Sequence, residues 1–578
     1  MNAGADMSRG VFGWLLIAIL AIAALLRGLF PAADPPWNPS VGIVWHDEGA
    51  WVHNARNRAL FGAWSLDKWN PMYIAPVFTG LEYASFRSFG VGVRQARLVP
   101  ELCGFAAVCL LAWGVKRIGG GLAALTAAAL LGTNYFYVMW DRTALMEGPM
   151  VAFMVASWYC YTRADDRPLW GIAASACALL AFFTKAAAAF FVAAIAIDAL
   201  TVLITGWRNQ RSLPQMRPAL WTLGGLAIIG LLALAVFVLP NWADYRFYNW
   251  QMSVTRKPSY DFKSVLDRAT WLPLQDAFTR TWFVMAIAMT HAAGLIARWR
   301  ELRSGERLLI WWVVLGAAEL ILHDAGNERR FVFFIPAFVA LASLALGRLQ
   351  ILPREVEETP KARAMLALPL VLYGAYVVFG AFVRIAFLRE ISPNVRIAAA
   401  LAIVFGAVLF STWPRLPRSL SATIPRGGVV LLTGLLSVGN VIQYMQWAAG
   451  RTYQNYEASR ELGRLLPPGT LVHGKLANGL ALENGIRPIF VGRGFGNYED
   501  RKSRDDVRYI LTYIAPSLGY ESQAHNPIIQ DVIDAYPNHR IVATFDVRET
   551  ATGHDRAALI DKFGGGRQDS PQSGRAKD

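Results

Sequence analysis

Two short acidic segments are the first places where the residue types of this sequence could do chemistry. One contains the adjacent carboxylates Asp47 and Glu48, and the other contains Asp141, Arg142 and Glu147. A positioned carboxylate can take a proton from a hydroxyl group in the transition state of a reaction. Acidic residues are also common in the first turn of a helix, where the helix dipole favours negative charge. Asp47, Glu48 and Glu147 are therefore candidate catalytic acids or bases, with Asp141 as a supporting acid.

Several cations interrupt apolar or aromatic stretches elsewhere in the chain. They are Arg142, Lys185, the pair Arg256 and Lys257, and the pair Arg329 and Arg330, which follows His323. The fork of donors on Arg matches phosphate oxygens, and Lys binds phosphate as a point charge. Contact with lipid headgroups would explain the same cations. The sequence predicts a site for an anionic ligand, with His323 in a supporting role.

The composition distinguishes between a water-soluble protein and a membrane protein. The 578 residues are 55% hydrophobic and only 17% charged, and the mean hydropathy is +0.33. The net charge of +15 arises from 56 Lys and Arg against 41 Asp and Glu. In a lipid-solvated chain, such an excess of cations marks cytoplasmic loops rather than a nucleic-acid surface. The composition indicates an integral membrane protein.

The apolar residues gather into blocks near the length that a helix needs to cross hydrocarbon, which is about 20 residues. This pattern predicts a polytopic α-helical membrane protein with about thirteen transmembrane helices. The blocks fall near 11–30, 97–115, 120–139, 149–161, 168–183, 187–206, 219–240, 281–297, 308–322, 331–347, 365–386, 395–412 and 427–447.

The sidedness of these spans follows from the short loops between them. With a cytoplasmic N-terminus, nearly every Arg-rich short loop lies on the cytoplasmic face, as the positive-inside rule requires. The acidic segments, Lys185 and the Arg329-Arg330 pair then face outward. Lys185 lies inside the apolar run 169–206, which is long enough for two spans, so it marks a tight outer turn.

Two long loops and the end of the chain also lie on this outer face. The loops 31–96 and 241–280 are rich in Trp and Tyr, which predicts ordered segments along the membrane interface. Residues 451–565 alternate strand-like runs, near 470–473, 488–491, 509–513 and 540–545, with helical stretches. This alternation predicts a small extracytoplasmic α/β domain after a transmembrane domain at 1–450. The Gly-rich and Ser-rich tail 566–578 is predicted to be disordered.

Carboxylates that take a proton, cations that hold a phosphate and an apolar surrounding for a lipid tail together predict a reaction. In this hypothesis, the donor is a sugar linked to polyprenyl phosphate. A carboxylate deprotonates an acceptor hydroxyl, the oxygen attacks the anomeric carbon, and the lipid phosphate leaves. The acceptor is a lipid, a glycan or a protein.

The sequence resembles the GT-C membrane glycosyltransferases, in particular the branch of bacterial lipid A aminoarabinose transferases and protein O-mannosyltransferases. The segments that carry the resemblance are HDEGAWVHNARN (46–57), NPMYIAPVF (70–78), RQARLVPELCG (94–104), RTALMEGP (142–149), FFTKAAAAFF (182–191) and NERRFVFFIPAFVALA (327–342). The order and spacing of these segments are more specific than any one of them. The resemblance spans most of the chain.

The resemblance implies roles for individual residues. Asp47 is the expected catalytic carboxylate, and Glu147 is a supporting acid. Lys185 and the Arg329-Arg330 pair are expected to contact the donor phosphate, and the 241–280 loop to close over the donor. The resemblance also implies thirteen spans in a bacterial inner membrane, with an exterior C-terminal domain.

Two segments depart from the pattern of the aminoarabinose transferases. Asn70-Pro71 stands where that group carries Lys-Pro-Pro, and Arg330-Phe331 stands where it often has a tyrosine pair. Neither the donor sugar nor the acceptor is therefore carried over. Asn70 and Tyr73 are retained as supporting residues of the first loop.

Three alternatives stay open at the level of the sequence. A transporter or flippase for lipid-linked sugars would use the charged loops as a gate, although such proteins usually contain internal repeats. A non-catalytic scaffold would use the C-terminal domain to bind a partner. An enzyme could in addition hold a divalent cation, Mg²⁺ or Mn²⁺, between Asp47 and Glu147.

Overall fold

The computed structural model places most of the chain in helices. The residues that it describes are 8–36, 46–209, 213–252, 268–323, 328–351, 400, 404, 408, 423–492, 494–495, 497–515, 526–548 and 555–564.

Up to residue 449, the regular structure in the described residues is helical. The helices are α1 Arg9–Gly28, α2 His46–Trp51, α3 His53–Phe61, α4 Pro76–Phe89, α5 Val93–Gly132, α6 Tyr135–Asp141, α7 Glu147–Ala164, α8 Trp170–Thr184, α9 Ala189–Arg208, α10 Leu213–Ala233, α11 Trp242–Trp250, α12 Arg268–Ala297, α13 Ser304–His323, α14 Ile335–Gly347 and α15 Arg426–Ala449. Short 3₁₀ turns at Pro71–Tyr73, Ala186–Ala188, Trp299–Glu301 and Glu328–Phe333 and a π turn at Leu234–Val238 join some of them.

Five described segments are long and apolar enough to cross a membrane. They are Arg9–Gly28, Val93–Gly132, Ala186–Arg208, Gln215–Val238 and Arg426–Leu465, and three shorter apolar helices accompany them. The remaining predicted spans in the described residues also overlap helices, whereas the span at 365–386 and all but three positions of the span at 395–412 lie outside those residues. The structure thus supports a membrane protein with many helices, and the count of about thirteen spans stays a prediction.

Helix α5 joins two predicted spans, 97–115 and 120–139, into one element. The backbone breaks within it at Gly120, whose φ of 82° is a left-handed conformation that glycine adopts without strain. The second half ends at Gly132 rather than at 139, and a separate short helix, α6, follows. The two halves are thus separate helices, and the chain can change direction between them.

The first long loop is largely helical. It folds into α2, α3, a 3₁₀ turn at Pro71–Tyr73 and α4, each of which contributes to the buried core. Prolines at the first positions of the 3₁₀ turn and of α4 favour those starts because a first-turn N–H needs no partner. The second long loop, predicted at 241–280, also contains helices, since α11 and the start of α12 lie within it. The strongly polar composition of that stretch concealed both helices.

The C-terminal region, residues 454–564, contains a five-stranded sheet. The helices α16 Gln454–Leu465, α17 Lys475–Gly479 and α18 Asn526–Asp534 accompany the strands β1 Leu471–His473, β2 Arg487–Ile489, β3 Tyr509–Ala515, β4 Arg540–Val547 and β5 Asp555–Asp561. The strand order is β2-β1-β3-β5-β4. Strand β1 runs parallel to β2 and β3, whereas β5 runs antiparallel to β3 and β4.

Four of these strands overlap the strand-like runs in the sequence, but β5 was missed. Its central residues are two alanines and a leucine between charged ends, which is a weak strand pattern. In the fold, β5 lies between β3 and β4 and is almost wholly buried. Tertiary pairing therefore determines this strand more than its local sequence does.

The C-terminal region packs closely on the first loop. A Cβ atom on Gly49 of α2 would lie 1.8 Å from the backbone oxygen of Asn478 in α17, so only glycine permits this approach. Arg56 of α3 is almost wholly buried and donates hydrogen bonds to the carbonyl oxygens of Ala481, Asn484 and Ile486. The helix that carries Asp47 is therefore held from one side by the C-terminal region.

Candidate functional site

Asp47 lies in the first turn of α2, and its neighbour Glu48 fixes that helix. Glu48 is buried, and the guanidinium of Arg97 on α5 donates to both of its carboxylate oxygens, at 2.8 and 2.7 Å. The backbone N–H of Ala144 donates to Glu48 as well, at 2.8 Å. We call Glu48 and Arg97 the Arg97 pair. It provides hydrogen bonds to both oxygens of the buried acid, Glu48, and does not involve Asp47.

Glu147 and Lys185 are brought together by a helix start and a helix break. Glu147 is the first residue of α7, ahead of the predicted span 149–161, where the helix dipole favours a carboxylate. Lys185 has an extended backbone between α8 and the 3₁₀ turn that leads into α9, which confirms the predicted turn. Its Nζ lies 2.5 Å from Oε1 of Glu147. The two side chains form a buried ion pair.

Arg329 connects this pair to Asp47. It lies in the 3₁₀ turn Glu328–Phe333 ahead of α14, and its Nη1 donates to Oδ2 of Asp47 at 3.1 Å. Its Nε lies 3.4 Å from Oε1 of Glu147. We call Asp47, Glu147, Lys185 and Arg329 the Arg329 cluster. Four segments that are far apart in sequence thus deliver two acids and two cations to one place.

The surroundings of the Arg329 cluster keep its buried acid ionised and shift the pKa of its lysine. Burial by itself would raise the pKa of Glu147, but the charges of Lys185 and Arg329 outweigh it and lower the pKa to about 2. Burial lowers the pKa of Lys185 to about 7, and the nearby Arg330 and Arg329 act in the same direction against the opposing effect of Glu147. An added anion would raise the pKa of Lys185 again and hold the amine charged.

The cluster is not saturated by its own hydrogen bonds. Oε2 of Glu147 is buried and has no hydrogen-bond partner among the described residues. The Asp47 and Arg329 side chains keep 16% and 21% of their surface exposed, whereas Glu147 keeps 1%. The Asp47 side of the cluster is therefore the side that a substrate can reach.

An apolar wall adjoins these charges. Arg330 is buried, its guanidinium lies 5.8 Å from the ring centroid of Phe333, and Lys185 lies 5.9 Å from the same ring. Beside Arg330 is a narrow, mostly apolar crevice, which Phe190, Gly316, Leu320 and Phe334 help to line together with one acid, Glu319. The arrangement places cations directly next to an aromatic and aliphatic surface.

Two residues predicted for the site do not join the cluster. Asp141 is completely buried and receives a hydrogen bond from Nε of Arg27 on α1, at 2.9 Å. Arg142 donates to the backbone oxygens of Leu26, Arg27 and Phe30. Because its guanidinium is committed to these carbonyl groups, Arg142 tethers α1 to α6 and is not positioned to bind a donor phosphate. Its position in a polar loop concealed this inward orientation.

The supporting residues of the first loop also lie elsewhere. The backbone N–H of Asn70 donates to the hydroxyl of Tyr248 at 3.1 Å, and the ring of Tyr73 stacks on that of Tyr248 with centroids 5.9 Å apart. Asn70 and Tyr73 thus connect the first loop to α11. His323 is the last residue of α13, whereas Arg256 and Lys257 lie outside the described residues.

A divalent cation between Asp47 and Glu147 does not fit this geometry. The guanidinium of Arg329 contacts both carboxylates and places a positive charge between them. Within the part of the chain that the structure describes, no group of three or more His, Cys, Asp and Glu side chains is arranged to hold a metal. The cations that contact the two acids are the side chains of Lys185 and Arg329.

Comparison with known proteins gives this arrangement a context. Residues 75–238 match the family model described as dolichyl-phosphate-mannose-protein mannosyltransferase. The chain also matches ArnT from Cupriavidus metallidurans in the apo state, with 16% sequence identity over 95% of this chain and 98% of that chain and a TM-score of 0.51. The structure of the same protein bound to undecaprenyl phosphate matches with 14% identity over 96% and 98%, at a TM-score of 0.50.

The chain has a GT-C fold. The structural matches extend over nearly the full length of both chains, so the resemblance seen in the sequence is confirmed at the level of the fold. The family model covers less than half of the chain; it includes Glu147 and Lys185 but neither Asp47 nor Arg329. No curated protein sequence matches the chain significantly.

Sequence reasoning gave no role to two residues, Arg97 and His53, that hold the segments around the Arg329 cluster. Arg97 lies near the start of α5, where an Arg beside an apolar block was a usable signal because a buried cation needs an anionic partner, although the exposed Arg94 of the same helix gives the same signal. His53 is also buried, and its Nε2 lies 2.9 Å from Asp67 while its Nδ1 lies 3.1 Å from the amide of Asn478. The contact between His53 and Asn478 joins positions more than 400 residues apart, so local sequence carries no signal for it.

Proposed function

We propose that the protein is an inverting glycosyltransferase that uses a sugar linked to polyprenyl phosphate as its donor. The acceptor is a hydroxyl group of a lipid, a glycan or a protein, and the transferred sugar is a hexose or a pentose. The observation that carries the proposal is the Arg329 cluster. It combines one accessible carboxylate, Asp47, with the cations Lys185 and Arg329 beside an apolar crevice.

In this proposal, Asp47 is the general base. Its carboxylate accepts the proton of the acceptor hydroxyl as that oxygen attacks the anomeric carbon of the donor sugar. The bond between the anomeric carbon and the phosphate oxygen breaks, and its electron pair leaves with the polyprenyl phosphate. A single displacement of this kind inverts the configuration at the anomeric carbon. General-base catalysis by a positioned side chain typically contributes roughly 10²- to 10⁴-fold in rate.

Lys185, Arg329 and Arg330 stabilise the departing phosphate. Charge develops on the leaving oxygen in the transition state, and fixed cations in a water-poor site stabilise it without reorganisation. Glu147 keeps Lys185 and Arg329 in place, since its carboxylate contacts both. Glu147 is thus a positioning acid, and Asp47 is the only carboxylate of the cluster that we assign to the acceptor.

The apolar crevice beside Arg330 is the proposed entry of the lipid tail. Its aromatic and small residues offer contact to hydrocarbon, while Arg330 lies next to the phosphate end. The ArnT structure with the same fold was determined with undecaprenyl phosphate bound. This agrees with a polyprenyl phosphate donor for the present chain.

The proposed orientation places the site on the outer face of the membrane. The positive-inside rule assigns the Arg-rich short loops to the cytoplasm, and hence the N-terminus as well. With about thirteen spans, the 451–565 domain is extracytoplasmic and contacts the loop that carries Asp47. Acceptors assembled on the outer side would then reach the site directly, and the cell envelope is the proposed location.

The decisive experiment compares Asp47→Asn with Glu499→Gln, an exposed acid of the C-terminal region. Each purified full-length variant is incubated with a panel of polyprenyl-phosphate-linked sugars and envelope acceptors, and release of polyprenyl phosphate is measured. We expect release by the wild type and by Glu499→Gln, and a loss of at least about 10²-fold in Asp47→Asn. Full activity of Asp47→Asn at normal expression would refute the assignment of the base. Movement of a donor across vesicles without any release would support a transporter instead.

A further inference from the structure

A second charged pocket lies where the first half of α5 ends, beside the C-terminal end of α7. It has a volume of about 550 Å³, and its lining residues are Trp113, Lys116, Arg117, Tyr159 and Arg163. Three of the five are cations and two are aromatic. The reaction proposed for the Arg329 cluster uses none of them.

Two of these cations have no carboxylate partner in the described part of the chain. Arg117 is paired with Asp166, with 2.5 Å between Nη2 and Oδ2. Lys116 instead lies 4.0 Å above the ring of Phe12, and Arg163 lies 4.7 Å from the ring centroid of Trp170. Aromatic faces attract cations but do not cancel their charge. The pocket therefore keeps a net positive charge available to an anion.

The aromatic residues place the pocket at a membrane interface. Trp113 is 49% exposed on an otherwise apolar stretch of α5. The hydroxyl of Tyr159 accepts a hydrogen bond from Nη1 of Arg163 at 2.9 Å. Trp and Tyr are enriched at the level of lipid headgroups, where one part of the ring system is apolar and another is hydrated. One side of the pocket is thus suited to acyl chains and the other to a polar headgroup.

The pocket and the Arg329 cluster lie at opposite ends of α7. Glu147 is the first residue of this helix and Arg163 is in its last turn. At a rise of 1.5 Å per residue, the two positions are separated by about 24 Å along the helix axis, close to the thickness of the hydrocarbon core. The two cationic sites therefore face opposite leaflets, so the pocket does not serve as a subsite of the cluster.

We propose that this pocket binds the headgroup of an anionic phospholipid from the leaflet opposite the Arg329 cluster. Lys116 and Arg163 hold the phosphate, and Trp113 packs against an acyl chain. Basic pockets between transmembrane helices on the cytoplasmic side are suited to such headgroups. The inference does not depend on the proposed glycosyl transfer, since it uses a different set of residues.

Lipid retention by the full-length protein tests the proposal. Phosphatidylglycerol and phosphatidylcholine with the same acyl chains are added to the detergent-purified protein, and bound lipid is counted by native mass spectrometry. We expect Lys116→Ala/Arg163→Ala to retain several-fold less phosphatidylglycerol than the wild type, with phosphatidylcholine unchanged. Lys116→Arg/Arg163→Lys, which keeps both charges, should retain it. Arg208→Ala/Arg300→Ala is the matched control for the loss of two exposed cations.

The same measurement can overturn the proposal in three ways. Equal retention of phosphatidylglycerol by wild type and Lys116→Ala/Arg163→Ala would remove the site. An equal loss from the control pair would show that only overall charge matters. Competition by inorganic phosphate at the concentration at which phosphatidylglycerol binds would show a site for a free anion rather than a lipid. Because the alanine pair must still retain phosphatidylcholine as the wild type does, misfolding of that variant, which would change the retention of both lipids, cannot imitate the expected result.

Discussion

Asp47 and Glu48 are adjacent in sequence, yet their surroundings differ. In the Arg97 pair, both oxygens of Glu48 are bonded and the acid is 3% exposed. In the Arg329 cluster, one cation serves two acids and a buried oxygen of Glu147 is left without a partner among the described residues. Ion pairing alone is therefore no guide to function. What distinguishes the two networks is accessibility: the acid of the Arg97 pair is closed off from solvent, whereas Asp47 in the Arg329 cluster keeps 16% of its side chain exposed, where a substrate can reach it.

The two networks also depend on each other. Glu48 binds α5 through Arg97 and binds the α6–α7 connection through Ala144, three residues before Glu147. The Arg97 pair thus fixes both the helix that carries Asp47 and the segment that precedes Glu147. The Arg97 pair therefore holds the residues of the Arg329 cluster in the positions in which they can bind a ligand.

The largest effect should come from breaking the Arg97 pair. Arg97→Ala leaves the Glu48 carboxylate buried without its main partner, and removing one member of a buried pair typically costs about 3–5 kcal/mol. We expect a large drop in the midpoint of thermal unfolding in detergent, with activity lost alongside. Arg94→Ala, an exposed neighbour on the same helix, is the control. If Arg97→Ala melted with the wild type, the Arg97 pair would not be a structural element.

Arg329→Ala should lower activity strongly and stability only slightly, whereas Arg97→Ala acts mainly by lowering stability. Its guanidinium is more exposed than that of Arg97, so its loss should lower the unfolding midpoint less. Loss of one fixed hydrogen-bond donor to an atom on which charge develops in the transition state typically lowers kcat about 10²- to 10³-fold. Release of polyprenyl phosphate measures this, with the exposed Arg87→Ala as a control. Arg329→Lys should recover part of the rate, and turnover of Arg329→Ala within twofold of the wild type would contradict the assignment.

The sequence predicted the residues of the Arg329 cluster, but it did not predict the pairing of Glu48 with Arg97. Hydropathy located the apolar helices, and the charges that interrupt it pointed to Asp47, Glu147, Lys185 and Arg329, which the fold does bring together. The same criterion also selected Asp141 and Arg142, which are buried against α1. An acid in a polar loop looks the same in sequence whether its partner is a distant Arg or a ligand. Only the three-dimensional pairing separates the two cases.

The C-terminal region shows a second limit of the sequence. Its strand-like runs were visible, but its contact with the first loop depends on Gly49 and Asn478, whose types are unremarkable on their own. Residue types fix the local structure of each part, and the approach of the two backbones arises only when both are folded. Reasoning from local patterns therefore predicts the parts of this site better than the way in which they are held.

The smallest predicted effect is a pH dependence of donor affinity, which is expected from the Arg329 cluster and not from the Arg97 pair. The pKa of Lys185 is lowered to about 7 by burial, whereas Arg97 stays charged at any ordinary pH. As the pH rises through 7, the unliganded cluster loses the Lys185 proton, and binding a phosphate must then take up a proton. We expect donor affinity to fall by up to about tenfold per pH unit above pH 7, because each pKa unit corresponds to 1.36 kcal/mol. Glu147, with its pKa lowered to about 2, stays ionised throughout this range.

Lys185→Arg is the variant that isolates this effect. A guanidinium stays protonated through this pH range, so the affinity of Lys185→Arg for the donor should be nearly independent of pH between 7 and 9. Lys185→Gln should bind the donor weakly at every pH. The measurement is the dissociation constant of a polyprenyl phosphate, titrated at several pH values with the full-length protein. The same slope in Lys185→Arg and the wild type would assign the pH dependence to another group, such as the phosphate of the donor itself.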